Sequence, residues 1–270
     1  MVVLDQTLEA PRSQEAEAGN VSISAVIPTL NEAANLPHVF ARIPDCVDEV
    51  VIVDGRSTDD TIAVAQALMP SVRIVLQDGR GKGNALKCGF AAARGEIIVM
   101  LDADGSTDPA EIPAYVAPLL AGADFAKGSR FAEGGGSVDI TPFRALGNRF
   151  LNGIVNVLYG TRYTDLCYGY NAFWKHVLPV MNVNCDGFEV ETLINVRVAK
   201  AGLEIAEVPS IEQERIHGVS KLHPIRDGLR VLRTILTERF VLAHKQRPAM
   251  WSPTEFTEMS QVVESPFAVR

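Results

Sequence analysis

The chain lacks paired cysteines, clustered histidines, long apolar runs and an excess of positive charge, and each lack removes a class of protein. Its four cysteines, Cys46, Cys88, Cys167 and Cys185, stand apart with no C-x-x-C spacing. Neither a disulfide framework nor a zinc knuckle is expected, and the thiols read as reduced and buried. The five histidines show no metal-ligand spacing, which argues against a zinc hydrolase. No apolar stretch reaches the length of about 18 residues needed to cross a bilayer, so any membrane contact would be peripheral. A net charge of −8 argues against general nucleic-acid binding. Residues 1–20 are polar and acidic with no apolar stretch of a secretion signal; they read as a disordered lead on a cytoplasmic protein. Residues 246–270 read as a loose tail. Between them, residues 21–245 are enough for one domain with a substantial core.

What that stretch contains is an alternation. Apolar, β-branched runs at 22–28, 48–54, 72–77 and 96–102 predict strands, and helical patterns follow them over 31–42, 58–69 and 83–93. This order predicts a mostly parallel sheet covered on both faces, which binds ligands beyond the carboxyl ends of its strands. A further strand is expected over 123–131 and another near 204–208, with helices over 142–159, 188–201 and 224–243 and a flexible loop at 134–137.

The residues after each early strand therefore carry the functional argument. Asp102-Ala103-Asp104 follows the fourth strand directly. Two carboxylates at i and i+2 on extended chain point the same way and can share a hard cation, Mg²⁺ or Mn²⁺, with a diphosphate. The plain alternative is a solvated turn. Asp54 ends the second strand and can accept from a base imide or ribose, or serve the helix start for which Ser57, Thr58 and Asp59 are also suited. Pro28, the Thr29 backbone and Glu32 can line a nucleoside pocket, or Asn31-Glu32 can simply open a helix. The run Gly79-Arg80-Gly81-Lys82-Gly83-Asn84 invites comparison with a dinucleotide fingerprint, but its third glycine is replaced by Leu86. A basic phosphate loop with Lys82 as its contact is the better reading.

Together, AVIPTLNEAANL, VVIVDGRSTDDT, GKGNALKCGF and VMLDADGSTDP resemble, in order and spacing over roughly residues 22–130, the family-2 glycosyltransferases of GT-A fold. That resemblance implies an α/β fold with a Rossmann-like, mostly parallel central sheet flanked by helices, in one catalytic domain over 21–245. The nucleotide half would be about 21–130 and the acceptor half about 131–245. It implies Asp54 near the base, Pro28 and Glu32 near the nucleoside, and Asp102, Ala103 and Asp104 at the nucleotide and metal. The family often has Asp-Asp-Gly-Ser where this chain has Asp54-Gly55-Arg56-Ser57. The second half is similar to the dolichyl-phosphate mannose and glucose synthase group: Gly128-Ser129-Arg130, Arg144 with Asn148, Asp165 to Asn171, Phe188-Glu189-Val190-Glu191 and residues 207–221 follow its layout. The resemblance implies phosphate handling by Arg130, Arg144, Arg215 and Lys221. That group often has Ser-Gly-Phe-Arg where this chain has Tyr168-Gly169-Tyr170-Asn171.

Physically, residues 215–221 can form a lid over a diphosphate, hinged at Gly218, or an ordinary surface loop. From Arg215 to Arg247 eight basic residues face only Asp227 and Glu238. The helix there has an apolar stripe through Ile225, Leu229, Leu232, Ile235 or Leu236, and Phe240, which can lie on an anionic membrane or pack on the core. The wide apolar face of 142–159 can line a prenyl groove or close a core.

The predicted reaction is inverting transfer of a sugar from a UDP- or GDP-sugar to a polyprenyl phosphate at the inner face of the membrane. A phosphate monoester is already anionic near neutrality, with a second pKa of about 6, so no strong base is needed. The alternative is a soluble enzyme with a hydroxyl acceptor, for which Asp165 is the first candidate base, ahead of Glu189 and Glu191. A nucleotidyltransferase would carry a glycine-rich arginine loop after the first strand, where this chain has PTLNEAAN. A regulator without activity would bind nucleotide and turn nothing over.

Overall fold

The computed structural model describes residues 21–241. The lead over 1–20, the tail over 246–270 and the last two residues of the helix expected over 224–243 lie outside the described residues. Nine strands are described: β1 (Ile23–Thr29), β2 (Glu49–Asp54), β3 (Arg73–Leu76), β4 (Ile97–Met100), β5 (Phe125–Ser129), β6 (Gly136–Ser137), β7 (Asn171–Trp174), β8 (Ile205–Pro209) and β9 (Ile211–Glu212). The α-helices are α1 (Leu36–Phe40), α2 (Thr61–Leu68), α3 (Gly81–Ala92), α4 (Ile112–Leu120), α5 (Pro142–Tyr159), α6 (Leu178–Met181), α7 (Val190–Lys200) and α8 (Pro224–Phe240).

Seven strands form one sheet in the order β3-β2-β1-β4-β7-β5-β8, all parallel except β7, which runs antiparallel to both neighbours. The continuous apolar runs of the first four strands follow from burial on both faces. Ala25, Ile27, Val50, Ile52 and Val99 enter one core layer; Val26, Val51, Val53, Ile98 and Met100 enter the other. The first layer is closed by Leu36 and Val39 of α1 and by Ile112, Tyr115 and Leu119 of α4. The second is closed by Leu86 and Phe90 of α3 and by Val190 and Ile194 of α7. A third cluster joins α5, α7 and α8 through Leu151, Val155, Val196, Val231 and Ile235.

Several expectations are corrected. β7 was not predicted, because four residues after a turn carry too little periodicity; its Phe173 stacks on Phe125 of β5 at 5.8 Å. α4 was also missed: its sequence, with Pro113 and Pro118, discourages a helix, yet one proline sits in the first turn and the other near the end. The helix expected over 31–42 shrinks to α1, since Asn31 is left-handed with φ of 59° and its backbone is committed to the next loop. Gly136 and Ser137 of the expected flexible loop pair with β9. The cysteines are free as expected, but Cys46 is exposed and the others only partly buried.

The glycine-rich run that opens α3 also has a different explanation from a phosphate loop. Gly81 sits at φ +83°, and a Cβ on Gly83 would lie 2.2 Å from the Cys185 carbonyl oxygen. The Gly83 N–H donates to the Asp186 carbonyl at 3.0 Å. The glycines let α3 approach the segment leading into α7, backbone against backbone. Gly83→Ala is expected to cost about 1–3 kcal/mol by overpacking, read as a lower midpoint in urea denaturation; an unchanged midpoint would show that the contact is slack.

Candidate active site

In the strand order, β1 lies between β2 and β4, so the chain winds outward in both directions from it and leaves a crevice at the carboxyl ends of these strands. Two loops are stitched together there. Gly55 N donates to Thr29 O at 2.8 Å, Asn31 N to Ser57 Oγ at 2.9 Å, Thr58 N to Asn31 Oδ1 at 2.7 Å and Glu32 N to Thr61 Oγ1 at 2.9 Å. Asp59 accepts from Ala33 N at 3.2 Å. The residues that read as helix caps thus join the β1 and β2 loops, and the predicted helix start at Thr58 moves to Thr61. Pro28 and Thr29 end β1. Asp54, 1% exposed, accepts from Ser57 N at 2.9 Å through one oxygen, while its other oxygen is buried without a partner. An orphaned buried acceptor is costly, and a ligand N–H or O–H would satisfy it. Glu32 accepts from Asn35 at 2.6 Å; burial raises its pKa, with the Asn35 bond opposing.

Asp102 and Asp104 follow β4, with Ala103 buried between them. Each already faces a cation. Lys82 Nζ, on the first turn of α3, lies 2.6 Å from Asp102 and 2.8 Å from Glu191 of α7. Burial works against its ammonium, but the two carboxylates outweigh that and raise its pKa. Burial likewise raises the Glu191 carboxyl, with Lys82 opposing. A Cβ on Gly169 would lie 2.8 Å from Lys82 Nζ and 3.2 Å from Asp102 Oδ2, so a glycine there leaves space for this cluster. Asp104 accepts from Ser106 N at 2.9 Å and Oγ at 2.6 Å through one oxygen, and its other oxygen lies 2.7 Å from Arg215.

The segment expected to act as a lid is laid across this edge. Gln213 N donates to Ser106 O at 2.8 Å and Ile216 N to Asp104 O at 3.1 Å. Lys221 Nζ donates to Leu30 O at 2.6 Å, and Asn35 to His217 O at 3.2 Å. The loop thereby spans from the β4 end to the β1 end, with Gly218 at φ +85°.

Next to this edge a cavity of about 230 Å³ extends between α5 and α8. Lys82, Asp102, Asp104 and Arg215 line one part of it, and Phe143, Arg144, Leu151 and Val231 another. Arg144 pairs with Asp139 at 3.2 Å and stays partly exposed. A larger cavity, about 770 Å³, lies between residues 179–189 and α8; it contains none of the strand-end carboxylates and is set aside.

Arg130 and Asp165 are placed differently from their expected roles. Asp165 has no exposed surface, and both its oxygens are engaged by Arg130, at 2.7 and 3.0 Å. Arg130 also donates to Glu212 at 3.1 Å and lies 4.9 Å over the Tyr168 ring. Asn148 donates to Asp165 at 3.0 Å. Burial alone would raise the Asp165 carboxyl; the Arg130 guanidinium outweighs it and holds the pKa below the ordinary value. A carboxylate so committed is poorly placed to take a proton from an acceptor, and Arg130 turns its donors to carboxylates rather than outward.

The donor set suits a divalent cation. Among the described residues no group of three or more His, Cys, Asp or Glu is arranged to hold a metal. Two hard carboxylates suffice for magnesium or manganese when diphosphate oxygens and water complete the shell, and Asp102 and Asp104 are such a pair.

Residues 24–179 match the family described as glycosyl transferase family 2. The chain belongs to that family. It is 32% identical to glycosyltransferase AglJ of Haloferax volcanii over 213 residues, covering 77% of this chain and 68% of the relative. It is 33% identical to polyprenol monophosphomannose synthase of Mycolicibacterium smegmatis over 211 residues, 73% of this chain and 79% of the relative. Glucosyl-3-phosphoglycerate synthase of Mycobacterium tuberculosis, solved with Mn²⁺, UDP and its product, is similar in fold with a TM-score of 0.64 at 26% identity, over 83% of this chain and 82% of that one. The GT-A fold and the family expected from the motifs are thus both found. What the motif reading of this family-2 enzyme missed is the coupling of Lys82 to Asp102 and Glu191, three elements far apart in sequence; Glu191 had stood out only as a reserve base.

Asp165→Asn is expected to lower stability by about 3 kcal/mol, because it leaves the Arg130 charge buried with one carboxylate. The folded-state pKa lies below the unfolded value of about 3.9, so this contribution is complete above that pH and is lost as pH falls through the lowered pKa. The melting temperature of the variant should accordingly lack that acid-side fall. Turnover per folded molecule should drop less than about tenfold; a loss of 10²–10⁴, as for a true general base, would restore Asp165 to the chemistry.

Proposed function

We propose that this enzyme transfers a sugar, with inversion, from a nucleoside-diphosphate sugar to the phosphate of a polyprenyl phosphate, at the cytoplasmic side of a membrane. The observation that carries the reading is the meeting of three features at one edge: the Asp102/Asp104 pair, the Arg215–Lys221 loop laid over it, and a cavity that leads away between α5 and α8. The names of the relatives agree with a polyprenol-linked acceptor.

The nucleoside sits at the β1 and β2 ends, where the unpartnered Asp54 oxygen accepts from it and Pro28, Thr29 and Glu32 form the wall. Asp102 and Asp104 would hold Mg²⁺ or Mn²⁺, which would supply neutralisation of charge on the departing diphosphate. Arg215 and Lys221, both on the covering loop, take donor phosphate oxygens and exclude water. Arg144, at the cavity wall and only partly engaged by Asp139, receives the acceptor phosphate. The acceptor oxygen is anionic without help from a base, and its approach opposite the leaving group gives inversion. Lys82 offsets the carboxylates that two approaching anions must pass.

A second reading has specific support. Lys82, Arg130, Arg144 and Arg215 all face carboxylates, so a phosphate acceptor must compete for them. A hydroxyl acceptor would instead need a base, and Glu191, with its raised pKa and place on the cavity wall, is then better situated than Asp165.

A screen of labelled UDP- and GDP-sugars with Mg²⁺ or Mn²⁺, with and without a short polyprenyl phosphate, tests the reading. Sugar transfer that requires the lipid phosphate is expected, and Asp104→Ala should lower it at least about 100-fold with an unchanged circular dichroism spectrum. Wild-type-like turnover in that variant would remove the metal assignment, and transfer to soluble hydroxyls alone would favour the second reading.

A further inference from the structure

The larger cavity, about 770 Å³ between residues 179–189 and α8, takes no part in the chemistry proposed above, yet it has a chemistry of its own. From α8 it is lined by Arg230, Arg233, Thr234 and Thr237. Their spacing of i, i+3, i+4 and i+7 puts two guanidiniums and two hydroxyls on one face of the helix. That face adjoins the buried one, which holds Asp227, Val231, Ile235 and Glu238. Arg230 reaches only Asp227, at 3.5 Å. Arg233 is exposed, and no ion pair among the described residues engages it. Deeper in, Glu238 is shared by Arg197 and Lys200 of α7, at 2.7 and 2.9 Å. One carboxylate there serves two cations, so the floor keeps a positive excess on a chain whose net charge is −8.

The wall opposite α8 holds an acceptor with nothing to accept. Glu189 takes the Gly187 N–H at 3.3 Å through one oxygen, and its other oxygen is buried without a partner. A Cβ on Gly187 would lie 2.4 Å from that oxygen and 3.3 Å from Arg230 Nη1. The acid and the guanidinium thus border the same gap, left by the missing side chain, without forming an ion pair. A small turn of Glu189 toward the cavity it lines would bring the orphaned oxygen to a ligand O–H. Unpaired arginines select a phosphate, and an orphaned carboxylate oxygen selects a donor. The threonine hydroxyls can serve either. A ligand that offers both is a phosphorylated polyol.

We infer that this cavity is a second binding site, specific for a sugar phosphate and separate from the donor and acceptor positions. The phosphate lies against Arg230 and Arg233, and the sugar hydroxyls face Glu189. The site goes beyond the proposed transfer reaction and depends on neither its donor nor its acceptor. It is nevertheless joined to the donor edge, because the wall that carries Glu189 packs behind α3. The Gly83 N–H donates to the Asp186 carbonyl at 3.0 Å, and two residues past Glu189, Glu191 pairs with Lys82 at 2.8 Å. A ligand that ties residues 184–189 to α8 steadies that backbone contact.

The test is isothermal titration calorimetry of glucose 6-phosphate into the full chain, alone and with excess Mn²⁺ and UDP or GDP. One saturable site is expected, unchanged by the nucleotide. Arg230→Ala with Arg233→Ala, neither of which lines the cavity at the strand ends, should weaken binding at least about tenfold with an unchanged circular dichroism spectrum. Glu189→Gln should weaken glucose 6-phosphate and leave inorganic phosphate unaffected. Hydrogen exchange of the Gly83 amide should slow when the sugar phosphate is bound. A wild-type chain that binds it more weakly than about 1 mM overturns the inference. So does binding that the double arginine variant retains, or binding that the nucleotide displaces. Inorganic phosphate bound as tightly as glucose 6-phosphate would overturn the assignment to a sugar phosphate.

Discussion

The guanidinium of Arg130 lies buried between Asp165 and Glu212, and the part of the structure around β5, β7 and β9 is organised about it. Arg130 follows β5, Asp165 comes from the loop before β7, and Glu212 ends β9. One charge thus gathers the sheet, the cavity wall and the small β6–β9 ribbon, where Ser137 also bonds Glu212. A buried guanidinium tolerates this position only when its partners are complete, and Asn148 of α5 extends the same network by bonding Asp165. Arg130 and Asp165, which read as reacting groups, are committed to each other and to Glu212 in this network. Arg144 and Arg215, outside this network, stay partly exposed.

The same rule governs the donor edge, with weaker burial. Lys82 answers Asp102 and Glu191, and Arg215 answers Asp104. These pairs hold the carboxylates in place, and on the proposed reading a divalent cation and a diphosphate would bring a new partner for Asp104 and one for Arg215. In that account the loop over residues 213–221 is held down by the charges it would use on the donor. Among the described residues no helix is long and apolar enough to cross a membrane.

Much of this was legible in the sequence, for identifiable reasons. The first four strands were readable because burial on both faces leaves unbroken β-branched runs, and the strand-end loops followed from the parallel order. The D-x-D pair was readable because its two carboxylates adjoin one strand. What was not legible required tertiary information. β7 is too short for periodicity and gains its place from Phe173 against Phe125. The spacing of Asp165 could not distinguish a base from the anchor of an arginine 35 residues away. The glycines that open α3 resembled a phosphate loop because close approach to a carbonyl and close approach to a phosphate demand the same residue. The sequence pattern of α8 could not tell which apolar residues the core takes: Val231 and Ile235 are buried, while Ile225, Leu229 and Phe240 are exposed.

Where the diphosphate and its cation bind decides the proposed chemistry most directly. A crystal of the enzyme soaked with manganese and UDP or GDP would show it. The expected result is an anomalous manganese peak within bonding distance of Asp104, diphosphate oxygens beside it, and Arg215 turned from the carboxylate to a phosphate. A nucleotide bound elsewhere, with the Arg215–Asp104 pair unbroken and no manganese at that edge, would contradict it.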